Sequence, residues 1–420
     1  MSGTERRVGI TCLGCGLLCD DVTVAVTDRG VSGLAPACAV GSAWLGSGAV
    51  PDQIRCGSSS ASFEAAIAAA TDLLVRSRGR VLVYLGPALT IEALRPAVAI
   101  ADRLHAVTDT ATSLAAASGI LAGQRRGRAA ATLGELKNRA DVVLFWGASP
   151  AATHPRLVER LVDAPGTHVP EGRACRAVVS VRVGSDGSMS SADATLELPA
   201  TSELAALSIL RSIIAGAPAP ERLPVAGLAD LAARLMAARY VAIVADGEAG
   251  DPARPSQRAE GLVALTQALN TPTRAALFTL RSGDNRNGVE ALLTWQTGYP
   301  FAVEFSTGVP VYGADRRGLS DTGRTDAVLI AGDWRSIPEA VLSTLTRLPT
   351  VVIGPGASDA PGCQVCIDTG RAGIHEGGTA YRMDDIPLPL GAVIDGPRTA
   401  AMALAALEES VAARLREAAT

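Results

Sequence analysis

The chain has 420 residues, 48% of them apolar, 3% aromatic and 19% charged, with a formal net charge of −4 at pH 7. That length exceeds a single hydrophobic core and implies two or three domains, while the slightly acidic balance offers no basic stripe and excludes nucleic acid as an expected partner. Charge content falls below the roughly 25% usual for globular chains. Either partner subunits cover part of the surface, or the bias reflects codon composition, since Lys137 is the only lysine among 38 basic residues.

The start, MSGTERRVGI, has charges but no following apolar leader, and no run of about 18 uncharged apolar residues suggests a membrane span. Eight clustered cysteines do not read as a secreted disulfide framework. A cytoplasmic protein without membrane partners is expected.

The first 55 residues carry glycines, cysteines and a short strand pattern, DDVTVAV, and look like a small module of metal-site size. From residue 62 the pattern alternates. SFEAAIAAATDLLVRS has helical spacing with Ser62 as N-cap, RVLVYLG (80–86) is a buried strand, and TIEALRPAVAIADRL is helical again. Further apolar strands follow in ADVVLFWGASP (140–150), RYVAIVADGEAG (239–250), TDAVLIAGDW (325–334) and TVVIGPGASD (350–359), with a Pro/Ala-rich linker at 215–227. Apolar strands flanked by amphipathic helices mean α/β architecture with parallel sheets covered on both faces. Each strand leaves into Gly, Asp, Ser or Pro, at the carboxyl edge where such sheets bind ligands; tight βα turns account for the same residues.

Cys12, Cys15, Cys19 and Cys38 form C-x2-C-x3-C-x18-C. Four thiolates on one loop suit a four-iron cluster; zinc also accepts four thiolates, though paired C-x2-C hooks are its commoner spacing. Small buried cysteines as core residues are the structural alternative. Cys363 and Cys366 in GCQVCID have no second pair and read as core packing.

CLGCGLLCDDVTV, TLGELKNRADVVLFWGASPAATHPR, TWQTGYPFAVEFSTGVPVY and EGGTAYRMDDIPLPL, spread over nearly the whole chain, resemble the B subunit of formylmethanofuran dehydrogenase, in the molybdopterin oxidoreductase superfamily. The resemblance implies formate dehydrogenase-like domains I–III: a Cys-containing N-terminal module (1–55) and two Rossmann-like parallel-sheet domains. One of these is discontinuous (56–111 with 311–420), and the other spans 112–310. Redox-active members reduce carbon dioxide or oxidise formate on a tungsten or molybdenum bis-pterin beside a four-iron cluster, and hold the metal with Cys or selenocysteine followed by His and Gly.

At that place this chain reads TSLAAASGILAGQ (112–124), so Ala117, Ser118 and Gly119 stand where the ligand tripeptide is implied. A methyl cannot ligate, and a hydroxyl poorly replaces a soft donor. Nor does any Cys or His occur from 106 to 153. Active relatives also carry a basic residue soon after the fourth cluster cysteine, and here no Lys or Arg occurs from 39 to 54, so an anionic pterin lacks that partner.

These departures resemble the B subunit of the bacterial formyltransferase/hydrolase complex. That complex moves a formyl group from formyl-tetrahydromethanopterin to a methanofuran-type carrier and hydrolyses it to formate in one-carbon (formaldehyde) oxidation. The resemblance implies a non-catalytic scaffold whose partners are a zinc amidohydrolase-like hydrolase subunit, a formyltransferase subunit and a further small subunit. Carrier and zinc would sit on those partners, and no tungsten or molybdenum pterin is expected here. The four cysteines could still hold a [4Fe-4S] cluster. Without an adjacent two-electron centre it has no donor, and the loop is expected to persist as a fold-stabilising element. The alternative is an active tungsten or molybdenum formylmethanofuran dehydrogenase chain with an unconventional ligand. A thiamine- or nucleotide-binding α/β protein finds no GxGxxG or P-loop in support.

His154, in the His-Pro-Arg that the family also carries, is read as structural, and so are His375 and an Arg382–Asp384 salt bridge. Arg281, Asn285 and Arg286 on the loop RSGDNRNGVE are candidates for binding the carboxylates of a carrier tail by bidentate contacts, against an exposed polar loop of no function.

Overall fold

The computed structural model describes residues 5–27, 30–185, 189, 191–221, 223, 225–247, 257–313 and 324–420. The chain divides into two compact units, residues 1–112 with 283–420, and residues 113–282.

The first unit opens on an antiparallel sheet of β1 (Glu5–Ile10), β2 (Val22–Thr27) and β3 (Gly30–Ala35), with the cysteine loop between β1 and β2. Cys38 caps α1 (Ala39–Gly46), its sulfur accepting from the Gly41 amide. β4 (Ile54–Cys56) and β5 (Ser59–Ser60) lead to α2 (Phe63–Arg76), β6 (Val81–Leu85), α3 (Ile91–Arg103) and β7 (Val107–Thr110). Ser62 caps α2 as its spacing predicts, accepting from the Ala65 amide at 3.2 Å, and Thr90 caps α3 in the same way.

The second unit contains α4 (Leu114–Arg126), α5 (Leu133–Arg139), β8 (Val142–Trp146), α6 (Pro150–Thr153), β9 (Ala177–Val183), β10 (Ala194–Leu198), α7 (Glu203–Ile214), α8 (Leu228–Ala237), β11 (Val241–Asp246), α9 (Gln257–Leu269) and β12 (Ala275–Leu280). Its five strands run parallel in the order β10-β9-β8-β11-β12. β8 is buried at every position, which explains why it reads as an unbroken apolar run rather than an alternating one. The Pro/Ala-rich stretch between α7 and α8 is irregular where described; residues 222 and 224 lie outside the described residues, as do 248–250 after β11.

The returning segment adds α10 (Arg286–Thr297), β13 (Val303–Glu304), β14 (Val311–Tyr312), β15 (Ala327–Ala331), α11 (Glu339–Leu345), β16 (Thr350–Gly354), β17 (Cys363–Asp368), a ribbon of β18 (Gly378–Tyr381) and β19 (Pro387–Leu390), and α12 (Ala400–Glu417). It completes a nine-stranded sheet ordered β14-β13-β7-β6-β15-β16-β17-β4-β5. The five central strands are parallel, while both margins are antiparallel. Alternation along β6 sorts its side chains: Val81, Val83 and Leu85 face a core shared with α2, α3 and α12, while Leu82 and Tyr84 face a second core with Ile337 and Leu345.

The returning part of the first unit begins at Gly283, where β13 pairs with β7 through Val303 and Thr108 and α10 contributes Val289, Leu292 and Leu293 to the unit's core. Residues 1–55 belong to that same compact unit. No helix among the described residues is long and apolar enough to cross a membrane.

Candidate functional site

The cysteine loop is closed by its own backbone. The Cys12 amide donates to the Cys19 carbonyl at 2.8 Å and the Leu18 amide to the Cys15 carbonyl at 3.2 Å, and the Met383 amide ties the loop to the β18–β19 ribbon through the Gly16 carbonyl at 2.9 Å. Two amides point at sulfur: Gly14 donates to Cys12 Sγ at 3.4 Å and Gly41 to Cys38 Sγ at 3.3 Å. A Cβ at Gly41 would meet both sulfurs at 3.3 Å, so Cys12 and Cys38 converge on that glycine. Burial pushes the Cys12 thiol up to about 12; the Gly14 amide opposes, and Cys19, Cys15 and Cys38 press the same way as burial.

Four thiols, two of them with amide donors aimed at sulfur, have the donor chemistry of an iron–sulfur site. No group of three or more His, Cys, Asp or Glu among the described residues is arranged to hold a metal ion.

Beside this loop lies a cavity of about 470 Å³, lined by Gly14, Ala39, Val40, Ala43, Trp44, Ser47, Asp284 and Arg371. Arg371 bridges two carboxylates, Nη1 donating to Asp284 Oδ1 at 3.1 Å and Nη2 to Asp333 Oδ2 at 2.6 Å. Asp333 follows β15, so the cluster stands at the carboxyl edge of the parallel strands. Asp284 is fixed by its backbone, donating to the Leu13 carbonyl at 2.7 Å and accepting from the Ala88 amide at 2.7 Å. Gly283 must be glycine there, because a Cβ would lie 2.1 Å from the Leu13 carbonyl oxygen. Burial pushes the Asp284 carboxyl up and the Arg371 charge opposes it. Trp44 Nε1 and Arg371 Nε have no hydrogen-bond partner among the described residues. Neither thiol nor imidazole lines the cavity, and its one hydroxyl, Ser47, donates to the Trp44 carbonyl.

Ala117 and Ser118, where the resemblance implies the ligand tripeptide, fall in the first turns of α4. Ala117 is buried, and the Ser118 hydroxyl donates back to the Leu114 carbonyl at 2.9 Å. A methyl and an internally committed hydroxyl do not fit a tungsten or molybdenum ligand set.

Most of the stretch 281–290 is buried or half-buried. Asn285 is 1% exposed. Its Nδ2 donates to the Leu89 carbonyl at 2.8 Å and its Oδ1 accepts from the Tyr381 amide at 2.9 Å, so both ends of the amide join backbone to backbone. Arg286 Nη1 donates to the Ala111 carbonyl at 2.8 Å. Arg281 is buried and belongs to the second unit, whereas Asn285 and Arg286 belong to the first.

His154 is buried with its ring nitrogens against Thr153 Oγ1 and the Arg281 carbonyl, at 3.0 and 2.9 Å, a structural position. Arg382 grips Asp384 through two bonds at 2.6 and 2.8 Å, as expected. The neighbouring Glu376 accepts from the Ala400 and Ala401 amides at the start of α12, placing negative charge at a helix N-terminus.

Sequence reasoning missed Trp44, Asp333 and Arg371. Asp333, just past an apolar strand, carried a signal; Arg371 had none, since a lone arginine looks the same on a surface. Cys363 and Cys366, read as core packing, are joined in a disulfide.

No protein-family model matches the chain. It is 31% identical over 415 residues to the B subunit of a tungsten-containing formylmethanofuran dehydrogenase 2 from Methanocaldococcus jannaschii, covering 92% of this chain and 94% of that one. It is 30% identical over 332 residues to the B subunit of the formyltransferase/hydrolase complex Fhc of Methylorubrum extorquens, covering 76% and 86%. A crystal structure of the formyltransferase/hydrolase complex FhcABCD from Methylorubrum extorquens, in complex with methylofuran, contains a chain matching with TM-score 0.71 at 28% identity, over 86% of this chain and 99% of that one. The fold, the cysteine loop and these extents together place the chain in the family formed by the B subunits of formylmethanofuran dehydrogenase and of the formyltransferase/hydrolase complex Fhc.

Proposed function

We propose that the chain is the non-redox, scaffold-type B subunit of a cytoplasmic formyltransferase/hydrolase complex, one that converts formyl-tetrahydromethanopterin to formate through a methanofuran-type carrier. Its partners are then the hydrolase, the formyltransferase and a further small subunit, which carry the zinc and the carrier. One observation bears most of this reading. Where redox relatives are expected to ligate tungsten, α4 offers only the buried Ala117 methyl and a Ser118 hydroxyl spent on the Leu114 carbonyl. The likeness to the Fhc B subunit in sequence and to a chain of the FhcABCD complex in fold supports the same assignment.

The cysteine loop then serves as a backbone-closed strut beside α1, with the capacity for a four-iron cluster retained through Cys12, Cys15, Cys19 and Cys38. The second reading, an active tungsten or molybdenum dehydrogenase subunit, draws on those thiols and on the 31% identity to a tungsten-containing relative. Elemental analysis of the intact complex, purified without oxygen, separates the two. Tungsten and molybdenum are expected far below one per chain, and a stoichiometric amount of either overturns the scaffold assignment. Iron with acid-labile sulfide at four per chain would instead show that the cluster outlived the redox centre.

A further inference from the structure

Positions three apart on a regular strand face opposite sides, so the C-x2-C of β17 should separate its thiols. The pairing of β16 with β17 slips at this point: Thr350 faces Cys363, and the next residue, Val351, faces Val365. Gln364 is left as the extra residue of a bulge, which resets the alternation. Cys363 and Cys366 therefore share a face, pack on the same core and are joined sulfur to sulfur. Cys12, Cys38, Cys56 and Cys175 lie outside any disulfide.

A structural staple is a poor explanation for this bridge. Closing so short a loop constrains the unfolded chain least, and β17 is already held on both sides, by β16 and by β4. The two sulfurs are also unequal. Cys366 is 0% exposed, whereas Cys363, at the start of the strand, is partly exposed. Arg55 Nη2 lies 3.8 Å from Cys366 Sγ, a cation placed to favour the thiolate once the bridge opens.

We propose that Cys363 and Cys366 form a reversible dithiol/disulfide pair that exchanges with low-molecular-weight disulfides, with Cys363 as the entry thiol and Cys366 as the resolving thiol. In the oxidising direction the Cys363 thiolate attacks one sulfur of the small disulfide and releases one small thiol. Cys366, deprotonated beside Arg55, then attacks Cys363 Sγ and expels the second. The protein dithiol becomes a disulfide, and one small disulfide becomes two thiols, so electrons and protons balance; reduction runs the same steps backwards.

The test equilibrates the folded full-length chain in glutathione/glutathione disulfide buffers of graded ratio, quenches with acid, alkylates the free thiols and maps the peptides by mass. The peptide spanning 363–366 should lose two hydrogens on the oxidising side and regain them on the reducing side. Replacing the resolving thiol, Cys366→Ser, should accumulate one glutathionyl group on Cys363, and Cys363→Ser should leave Cys366 unmodified. A pair fully alkylatable at every ratio overturns the proposal, and so does one that stays closed at every ratio. Adducts forming on Cys366 as readily as on Cys363 overturn the order of attack and the proposal with it. The unmodified chain supplies the first two outcomes even if a variant fails to fold.

Discussion

Both units present the carboxyl edge of a parallel sheet and set an arginine against carboxylate there, and in the first unit a cavity opens beside it. In the second unit that edge holds a buried trio. The Trp146 indole donates to Glu203 Oε1 at 2.8 Å, Arg258 Nε donates to the same oxygen at 2.7 Å, and Arg258 Nη2 reaches the Trp146 carbonyl at 3.1 Å. Glu203 is only 2% exposed. In the first unit Arg371 likewise spans Asp284 and Asp333, but a cavity of about 470 Å³ opens beside it. Strand exits of similar composition thus carry a buried ion-pair trio in one place and a candidate pocket in the other. What differs is the surroundings of the ion pair: Glu203 is 2% exposed, whereas Arg371 and Asp284 line the cavity together with small residues such as Gly14, Ala39 and Ala43.

The largest expected effect tests the buried trio. Arg258→Met should strand the Glu203 carboxylate in a closed interior and cost about 3–5 kcal/mol, the usual penalty for breaking a buried pair from one side. Urea unfolding should show the loss as a lower midpoint at unchanged slope. Adding Glu203→Gln should recover much of it, because the uncompensated charge is gone. A single-variant cost well under 1 kcal/mol would mean that water already reaches Glu203, and the contrast between the two edges would fail.

Arg371→Met should cost less, about 1–3 kcal/mol. Asp333 keeps a second donor in Arg335, whose Nε lies 2.9 Å from Oδ1, and Asp284 faces the cavity, where water can take over. If Arg371→Met proves as damaging as Arg258→Met, the cavity is dry and the comparison breaks from the other side.

Much of the fold was legible because it follows from periodicity. Ser62 and the helix after it, the unbroken apolar run of β8 and the alternation of β6 are local facts about burial. The site was less so. Asn285 looked like an exposed ligand group and is a buried clasp, since nothing in NRNG reveals that the Leu89 carbonyl and the Tyr381 amide come to meet its two ends. Cys363 and Cys366 needed the bulge at Gln364, a property of the β16 pairing rather than of GCQVCID. Arg371 acquires meaning only when chain distant in sequence delivers Asp284 and Asp333 to it. Local chemistry can be read from the sequence; convergence requires the fold.

The smallest effect concerns pH and sharpens the account of the first unit. His375 Nδ1 accepts the Arg371 amide at 3.1 Å, which requires an unprotonated nitrogen. Burial holds the ring below its ordinary 6.5; the Gly48 backbone opposes, and the Arg371 charge lowers it further. The unfolded chain therefore binds a proton more readily than the folded one as pH falls through 6.5, so this group's contribution is full above that value and is lost below it. Its slope cannot exceed about 1.4 kcal/mol per pH unit. Glu376 runs the other way: burial, outweighing the Ala400 and Ala401 amides, raises its carboxyl above 4.5, so its contribution is lost as pH rises from there. The two overlap between these values, and the unmodified chain alone would show only their difference. Chemical unfolding of His375→Gln beside the parent, at steps from pH 7.5 to 5, isolates the histidine. The parent should lose stability relative to the variant as pH drops, and parallel curves would mean that His375 is as free to protonate in the fold as outside it.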